Sequence, residues 1–418
     1  MRILHTADWH LGRIFHGLHL TDEQDYVLDQ LVNLTKEAKT DVVLIAGDIY
    51  DRAVPPTQAV ELLDRTLNRL IEEAGQKVIL IAGNHDNPER LGFASELLAG
   101  QDLFIYGPLN KAAVPVVLKD QFGPVYFAPL TYGEPLAAQT ILGKQETEVA
   151  KSGVITDGAR ESADGEQDLF NGAANSVVAT TPNLLKSHED VVRRQIELML
   201  GQIPAGARKI ALAHVFLTGA TESDSERPLS IGGTTTVNKN VFTAFDYTAL
   251  GHLHMCQSCG EKIRYGGSLL KYSFNETSQK KGVHVLDVDA RGNFTAETVA
   301  LTAKHELGCL KGTFAELLQN TRTGDQTKFL QIILTDPLPI LDAKYKLEQV
   351  YPHILHLQYE RLTPRMENIT SAPVKQQLDP AALFKNFYQQ MEGRELTTAG
   401  QKILELALNE AAREEHSL

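Results

Sequence analysis

The stretch Val42-Val43-Leu44-Ile45-Ala46-Gly47-Asp48 decides the reading of this chain. Its first five residues are apolar and mostly β-branched, the pattern of a strand buried on both faces. Gly47 tolerates the sharp turn that a strand exit needs. Asp48 then stands at the carboxyl edge of a sheet, where open α/β sheets place their ligand sites. A carboxylate has two oxygens and can bridge two cations. Asp48 is therefore the candidate bridge of a two-metal site.

The flanking segments repeat this design. Arg2 to Thr6 reads as a strand followed by Asp8-Trp9-His10. In extended chain, residues two apart point the same way, so Asp8 and His10 can face one cation. Oxygen plus imidazole suits Mn, Fe or Zn more than Mg or Ca. Taken alone, this triplet reads as an exposed loop. Thr21 to Lys39 has helical spacing, with Thr21 or Asp22 as cap. A second helix is predicted over Thr57 to Ala74, and a third buried strand over Lys77 to Ala82. The β-α-β-α-β order implies right-handed crossovers and a largely parallel sheet. That third strand ends in Gly83-Asn84-His85-Asp86. Asn84 offers a neutral oxygen ligand and His85 a titratable proton. Asp86 is placed to fix the His85 tautomer and raise its basicity. Pro88 to Leu98 reads as a helix with proline near its start.

Further strands are predicted at Leu103–Ile105, Val114–Leu118 and Val125–Ala128, and a helix over Leu184 to Leu200. The strand Lys209 to Ala213 ends in His214, and Tyr247 to Leu250 ends in Gly251-His252-Leu253-His254. A lone histidine at such a place is most often a satisfied core residue. Here it follows three earlier strands that end in ligand types. His252 and His254, two apart, can face the same site and take different metals. Strands at Lys262–Tyr265, Gly282–Asp287 and Phe294–Leu301 follow, the last closing the second side of a two-layer sheet. Cys309–Phe314, Lys328–Leu334 and Ile354–Tyr359 alternate with helices at Ala315–Gln319 and Ala343–Val350, a small α+β module.

At 418 residues the chain is long enough for two or three units, and 43% apolar content supports sizeable cores. No run of apolar residues suffices for a membrane span, and the start lacks signal-peptide features, so a cytoplasmic location is expected. Three cysteines, Cys256, Cys259 and Cys309, do not make a disulfide framework. The single C-x-x-C lacks the second pair of a structural zinc site and the βαβ context of a redox motif, so the thiols read as incidental. A net charge of −13 argues against bulk electrostatic coating by nucleic acid but leaves room for a local cationic site.

Seven ligand types thus sit at predicted strand ends: Asp8, His10, Asp48, Asn84, His214, His252 and His254. Two divalent ions about 3.5–4 Å apart suit in-line displacement at phosphorus. His85 can protonate the leaving oxygen or stabilise the transition state. In this order, Asp8-x-His10, Gly47-Asp48, Gly83-Asn84-His85-Asp86, His214 and Gly251-His252-x-His254 resemble the calcineurin-like metallophosphoesterase signature. The match covers about the first 300 residues. Leu4 to Gly12, Gly47 to Pro56 and Gly267 to Phe274 are similar to the SbcD nuclease-subunit branch of that superfamily.

The resemblance implies a two-layer β-sheet sandwich flanked by helices, with a small α+β capping domain and C-terminal helices. It implies one metal on Asp8, His10, Asp48 and His254, and another on Asp48, Asn84, His214 and His252. His85, with Asp86, would be catalytic, and Mn²⁺ the expected ion. It further implies ATP-dependent exonuclease action on duplex DNA ends, endonuclease action on single strands and hairpins, an SbcC-type ATPase partner in a heterotetramer-like assembly, a nuclease homodimer, and work in DNA repair, recombination and replication. The expected organisation is a nuclease domain over 1–300 with an insertion at about 143–182, a capping domain over 301–362, a linker over 363–378 and a helical segment over 379–418. The amphipathic stripe Leu383, Phe384, Phe387, Tyr388 and Met391 suits docking on a partner, or packing back on this chain. A phosphoesterase of nucleotides or small phosphodiesters is the alternative with the same metals. A DNA tether without catalysis would be favoured by a lost ligand, and none is lost.

Overall fold

A computed structural model of the chain describes residues 1–109, 114–142, 184–226, 236–319 and 323–360, with scattered positions between 384 and 404. The expected insertion at 143–182 and the linker at 363–378 lie outside the described residues. Of the 379–418 segment too few positions are described to test docking or packing.

In chain order the main elements are β1 (Arg2–Thr6), α1 (Thr21–Ala38), β2 (Val42–Ala46), α2 (Thr57–Asn68), β3 (Lys77–Ile81), β4 (Leu103–Tyr106), β5 (Val116–Asp120), β6 (Gly123–Leu130), α3 (His188–Leu200), β7 (Arg208–His214), β8 (Tyr247–Gly251), β9 (Gln257–Ser258), β10 (Ile263–Tyr265), β11 (Gly282–Val288), β12 (Phe294–Ala300), β13 (Leu307–Gly312), α4 (Phe314–Gln319), β14 (Phe329–Leu334), α5 (Ala343–Glu348) and β15 (Ile354–Tyr359), with shorter helices and strands between them. The first sheet runs β12-β11-β1-β2-β3-β4 and the second β9-β10-β8-β7-β6-β5. β1 to β4 are mutually parallel, and so are β6, β7, β8 and β10. Antiparallel strands finish the sheets: β11 and β12 at one edge of the first, β5 and β9 at the two edges of the second.

The sheets stack face to face. Ile3, Val42, Leu44, Ala46, Ile79 and Ile81 from the first meet Phe127, Ile210, Leu212 and Tyr247 from the second. The opposite face of β2, Val43 and Ile45, packs with Val27, Leu28, Leu31 and Leu62 of α1 and α2. On the outside of the second sheet, Val192, Ile196 and Met199 of α3 cover Ala128, Ala211 and Ala213. All five residues of β2 are therefore buried, as its unbroken apolar run requires. Each large side chain so buried stabilises the fold by roughly 1.5–3 kcal/mol. The third sheet, β13-β14-β15, is parallel and has its own core of Leu330, Ile332, Leu334, Leu347 and Tyr351.

Several expectations are corrected. Neither Thr21 nor Asp22 caps α1: Leu20 holds that position without a side-chain bond, while Asp22 and Glu23 supply negative charge in the first turn. α2 stops at Asn68 and continues as a π-helical turn over Arg69–Glu73. The single helix expected over Pro88–Leu98 is two, Pro88–Leu91 and Ser95–Ala99, parted where Ala94 takes a left-handed φ of 56°. β12 does not close the second sheet. It pairs with β11 on the edge of the first.

Candidate metal centre

The ends of β1, β2, β3, β7 and β8 converge where the two sheets touch. Register brings this about: His214 ends β7 directly opposite Gly251, the last residue of β8. Glycine is needed there, since a Cβ on Gly251 would lie 1.9 Å from the Ala46 carbonyl oxygen of the first sheet. Gly47 takes a φ of +87°, and a Cβ on it would lie 2.4 Å from His214 Nδ1. The segment Asp8-Trp9-His10 is not extended, contrary to expectation. Asp8 (φ 51°), His10 (φ 47°) and Asp48 (φ 50°) all sit in the left-handed region, and His252 has φ 100°. Such backbone is costly for side-chain-bearing residues and survives where surrounding structure imposes it. Here hydrogen bonds from Asp8 N to Gly47 O (3.1 Å) and His10 N to Asp48 O (2.9 Å) lace the first two strand exits together.

All seven sequence-derived ligands face this junction. His10 Nε2 lies 3.0 Å from His254 Nε2 and 3.6 Å from Asp48 Oδ2. On the other side of Asp48, His214 Nε2 is 3.5 Å from Oδ1 and 2.9 Å from Asn84 Oδ1. His252 Nδ1 is 3.3 Å from the same Asn84 oxygen. Ligand atoms of Asp8, His10 and His254 lie within 4.8 Å of one another, as do those of Asp8, Asp48 and His214. A third grouping unites His10, Asp51 and His85, and the sequence reading had passed over Asp51. Its signal was the polar Asp51-Arg52 that follows the β2 exit.

The electrostatics of the pocket suit cations. Asp8, His10, Asp48, His214, His252 and His254 are all buried. Burial, and then the charge of Asp48, push Asp8 well above the usual carboxylate range. Burial, joined by repulsion from His254 and His85, drives His10 well below an ordinary imidazole. Burial and His214 do the same to His252, and burial lowers His214 against the pull of Asp48 and the Ala46 carbonyl. Neutral imidazoles are the ligating form. His214 Nδ1–H is spent on Ala46 O at 2.9 Å, which leaves the Nε2 lone pair facing the Asn84 oxygen. Among the described residues, none gives His10 Nδ1, which is buried, a hydrogen bond. Acceptors pressed together in a buried pocket are what a divalent cation satisfies, so these residues fit a two-cation centre.

The motif Gly83-Asn84-His85-Asp86 divides its work differently from the sequence reading. Asp86 does not touch the His85 ring. Its carboxylate accepts the backbone N–H groups of Ile49 (3.0 Å), Tyr50 (2.9 Å) and Gly83 (2.9 Å), tying the β2 exit to the β3 exit. Burial, then Asp48, push it up to about 7 against those three donors. The His85 tautomer is set by Asp51, whose carbonyl accepts from Nδ1 at 2.9 Å. Asp51 itself is gripped by Arg13, 2.9 Å from its carboxylate. His85 Nε2 then points back toward Asp48 Oδ2, 3.8 Å away. The buried Gln24, also missed by the sequence reading, steadies the β1 exit by donating to the carbonyls of Trp9 (3.2 Å) and His10 (2.8 Å). Cys256 and Cys259 are free, and burial pushes the Cys256 thiol up to about 11, consistent with an inert group.

Residues 1–255 match the calcineurin-like phosphoesterase family, and residues 303–392 match a domain described as type 5 capsule protein repressor C-terminal domain. A curated relative, the SbcD component of the SbcCD nuclease of Staphylococcus epidermidis, is 30% identical over 399 residues, 95% of each chain. Two solved structures each align with 72% of this chain and 99% of their own. These are the TT1561 protein of Thermus thermophilus (14% identical, TM-score 0.38) and a dimetal phosphatase from Danio rerio (10% identical, TM-score 0.36). Among the described residues, no helix is long and apolar enough to cross a membrane.

Proposed function

Since the chain belongs to the calcineurin-like phosphoesterase family, and along 95% of its length to the SbcD family of nuclease subunits, we propose that it is a two-metal DNA nuclease subunit acting in DNA repair and recombination. The observation that carries this reading is the meeting of six buried donors and the half-buried Asn84, from five strand exits, in one pocket. Asp8, His10, Asp48 and His254 would hold one cation, and Asp48, Asn84, His214 and His252 the other, with Mn²⁺ as the ion. Bound there, the pair supplies an activated water nucleophile and positive charge against the phosphoryl oxygens in the transition state.

The protein's own groups do the rest. His85 keeps a proton on Nδ1 through the Asp51 carbonyl, so Nε2 is the atom that can carry and release a second proton. In its protonated form Nε2 donates to the oxygen that departs as the P–O bond breaks. Asp86 acts by position: it clamps the backbone that carries Asp48 and Asn84. The Ala46 carbonyl orients His214, turning its Nε2 lone pair toward the second ligand cluster beside the Asn84 oxygen.

Duplex ends and hairpins are the substrates, and duplex digestion depends on an SbcC-type ATPase and ATP. The name of the curated relative supports such a complex. Residues 1–300 form the nuclease body and 301–362 a capping domain, consistent with the separate core of the third sheet. The nuclease body forms a homodimer. A groove of about 580 Å³ lined by Tyr50, Val60, Leu63, Leu67 and Phe93, with Val60 and Phe93 exposed in it, supports that reading.

The test is a nuclease assay with Mn²⁺ on linear duplex and hairpin DNA, with and without the ATPase partner and ATP, beside a His85→Ala control. Hairpin nicking by the chain alone, duplex digestion only with partner and ATP, and loss of both in the variant are expected. Cleavage of small phosphodiesters but of neither DNA would leave the metal centre standing and overturn the substrate.

A further inference from the structure

His254 differs from its neighbours in what holds it. The free nitrogens of His85 and His214 are set by backbone carbonyls of adjacent strand exits. His254 is set by side chains remote in sequence. Ser225 Oγ lies 2.5 Å from His254 Nδ1, and the Ser225 hydroxyl also donates to Glu276 Oε1. A hydroxyl has one proton. With that proton committed to the carboxylate, the Ser225 oxygen can only accept from His254. Nδ1 therefore carries hydrogen, and the Nε2 lone pair is turned toward His10 Nε2, 3.0 Å away.

The relay is anchored at both ends. Glu276, fully buried, pairs through its other oxygen with Lys281 Nζ at 2.6 Å, and Lys281 donates to the His254 carbonyl at 2.7 Å. Next to Ser225, Glu226 Oε1 accepts the backbone N–H of His254 at 2.8 Å. The loop containing Ser225 and Glu226 thus grips His254 by ring and backbone. Among the hydrogen bonds described, Ser225 and Glu276 make none to Asn84, His214 or His252.

We propose that Ser225 and Glu276 are positioning residues that fix the ligating tautomer of His254, and that through them the Ser225 loop sets the affinity of one cation position only, the one His254 shares with Asp8 and His10. This rests on the two-cation reading above. Partners behind a ligating histidine fix its tautomer and orientation, and losing one weakens metal binding about 10–100-fold.

The experiment is Mn²⁺ titration of the full chain, with free Mn²⁺ read by electron paramagnetic resonance, on wild type, Ser225→Ala, Ser225→Thr and Glu276→Gln. Wild type binds two ions. Ser225→Ala weakens one of them about 10–100-fold and leaves the other unchanged. Ser225→Thr, which keeps the hydroxyl, restores the weakened ion, and Glu276→Gln weakens the same ion as Ser225→Ala. Equal weakening of both ions, unchanged binding of both, or failure of threonine to restore the weakened ion overturns the proposal. A wild type that binds fewer than two ions overturns the two-cation reading, and this inference with it.

Discussion

Asp86→Ala separates the role the structure gives this residue from the one its sequence neighbourhood suggests. The carboxylate accepts three backbone N–H groups, two buried at Ile49 and Gly83 and one half-buried at Tyr50. Each buried donor left without a partner costs about 1–3 kcal/mol. About 1.5 kcal/mol at each of the two buried sites gives a loss of about 3 kcal/mol. At about 2–4 °C per kcal/mol for a unit of this size, the metal-free protein should melt about 6–12 °C lower. The assay is differential scanning calorimetry of metal-stripped wild type, Asp86→Ala and His85→Ala. His85→Ala should stay close to wild type, because its ring makes one hydrogen bond to a carbonyl. Were Asp86 instead a partner of the His85 ring, its loss would shift the pH profile of cleavage and spare stability. An Asp86→Ala protein that melts with wild type and carries an altered pH profile would refute the reasoning.

Asp48→Asn should abolish binding of both cations yet raise the midpoint of the metal-free protein. It removes repulsion between carboxylates whose oxygens lie within 4.8 Å, worth at least about 3 kcal/mol at an effective dielectric of 20 when both are charged. Calorimetry of both proteins without metal checks the sign. Gly47→Ala should lose Mn²⁺ binding and at least about 2 kcal/mol of stability, because a Cβ at φ +87° also strikes His214 Nδ1. Urea unfolding beside a metal titration tests it. Asp120 is held well below the usual carboxylate range, chiefly by its hydrogen bonds to Arg208. A depressed folded value means that this stability is present above about pH 4, the unfolded range, and is lost as pH falls toward the folded value. Urea midpoints from pH 5 to pH 2 should therefore fall steeply in wild type and more gently in Arg208→Met.

The strand exits were readable because each is written in consecutive residues. An apolar run, a glycine and a polar ligand specify a buried strand, a turn and a donor without help from the rest of the chain. Hence β2, β3, β7 and β8 are found where the sequence places them, with the candidate donors at their exits. What the sequence does not carry is which exits touch. Asp86 follows His85 directly, yet its partners are the amides of Ile49 and Tyr50 across a parallel strand pair, and no local spacing encodes that contact. Likewise Ser225 and Glu276 meet His254 from 29 residues before and 22 residues after it, as the numbering shows. β12 went to the wrong sheet for the same reason. A hairpin with β11 is the shortest connection, and β11 is already paired with β1. The left-handed backbone at Asp8, His10 and Asp48 runs against the propensity of residues that carry side chains, and close strand-exit bonding imposes it. Such local–global conflicts gather at functional sites.

The central claim is that one buried carboxylate stands between two cations. A crystal soaked with Mn²⁺ and measured for anomalous scattering tests it most directly. Two peaks about 3.5–4 Å apart are expected, with Asp48 between them, one peak against Asp8, His10 and His254 and the other against Asn84, His214 and His252. A single peak, or a peak seated on His10, Asp51 and His85 instead, would contradict it.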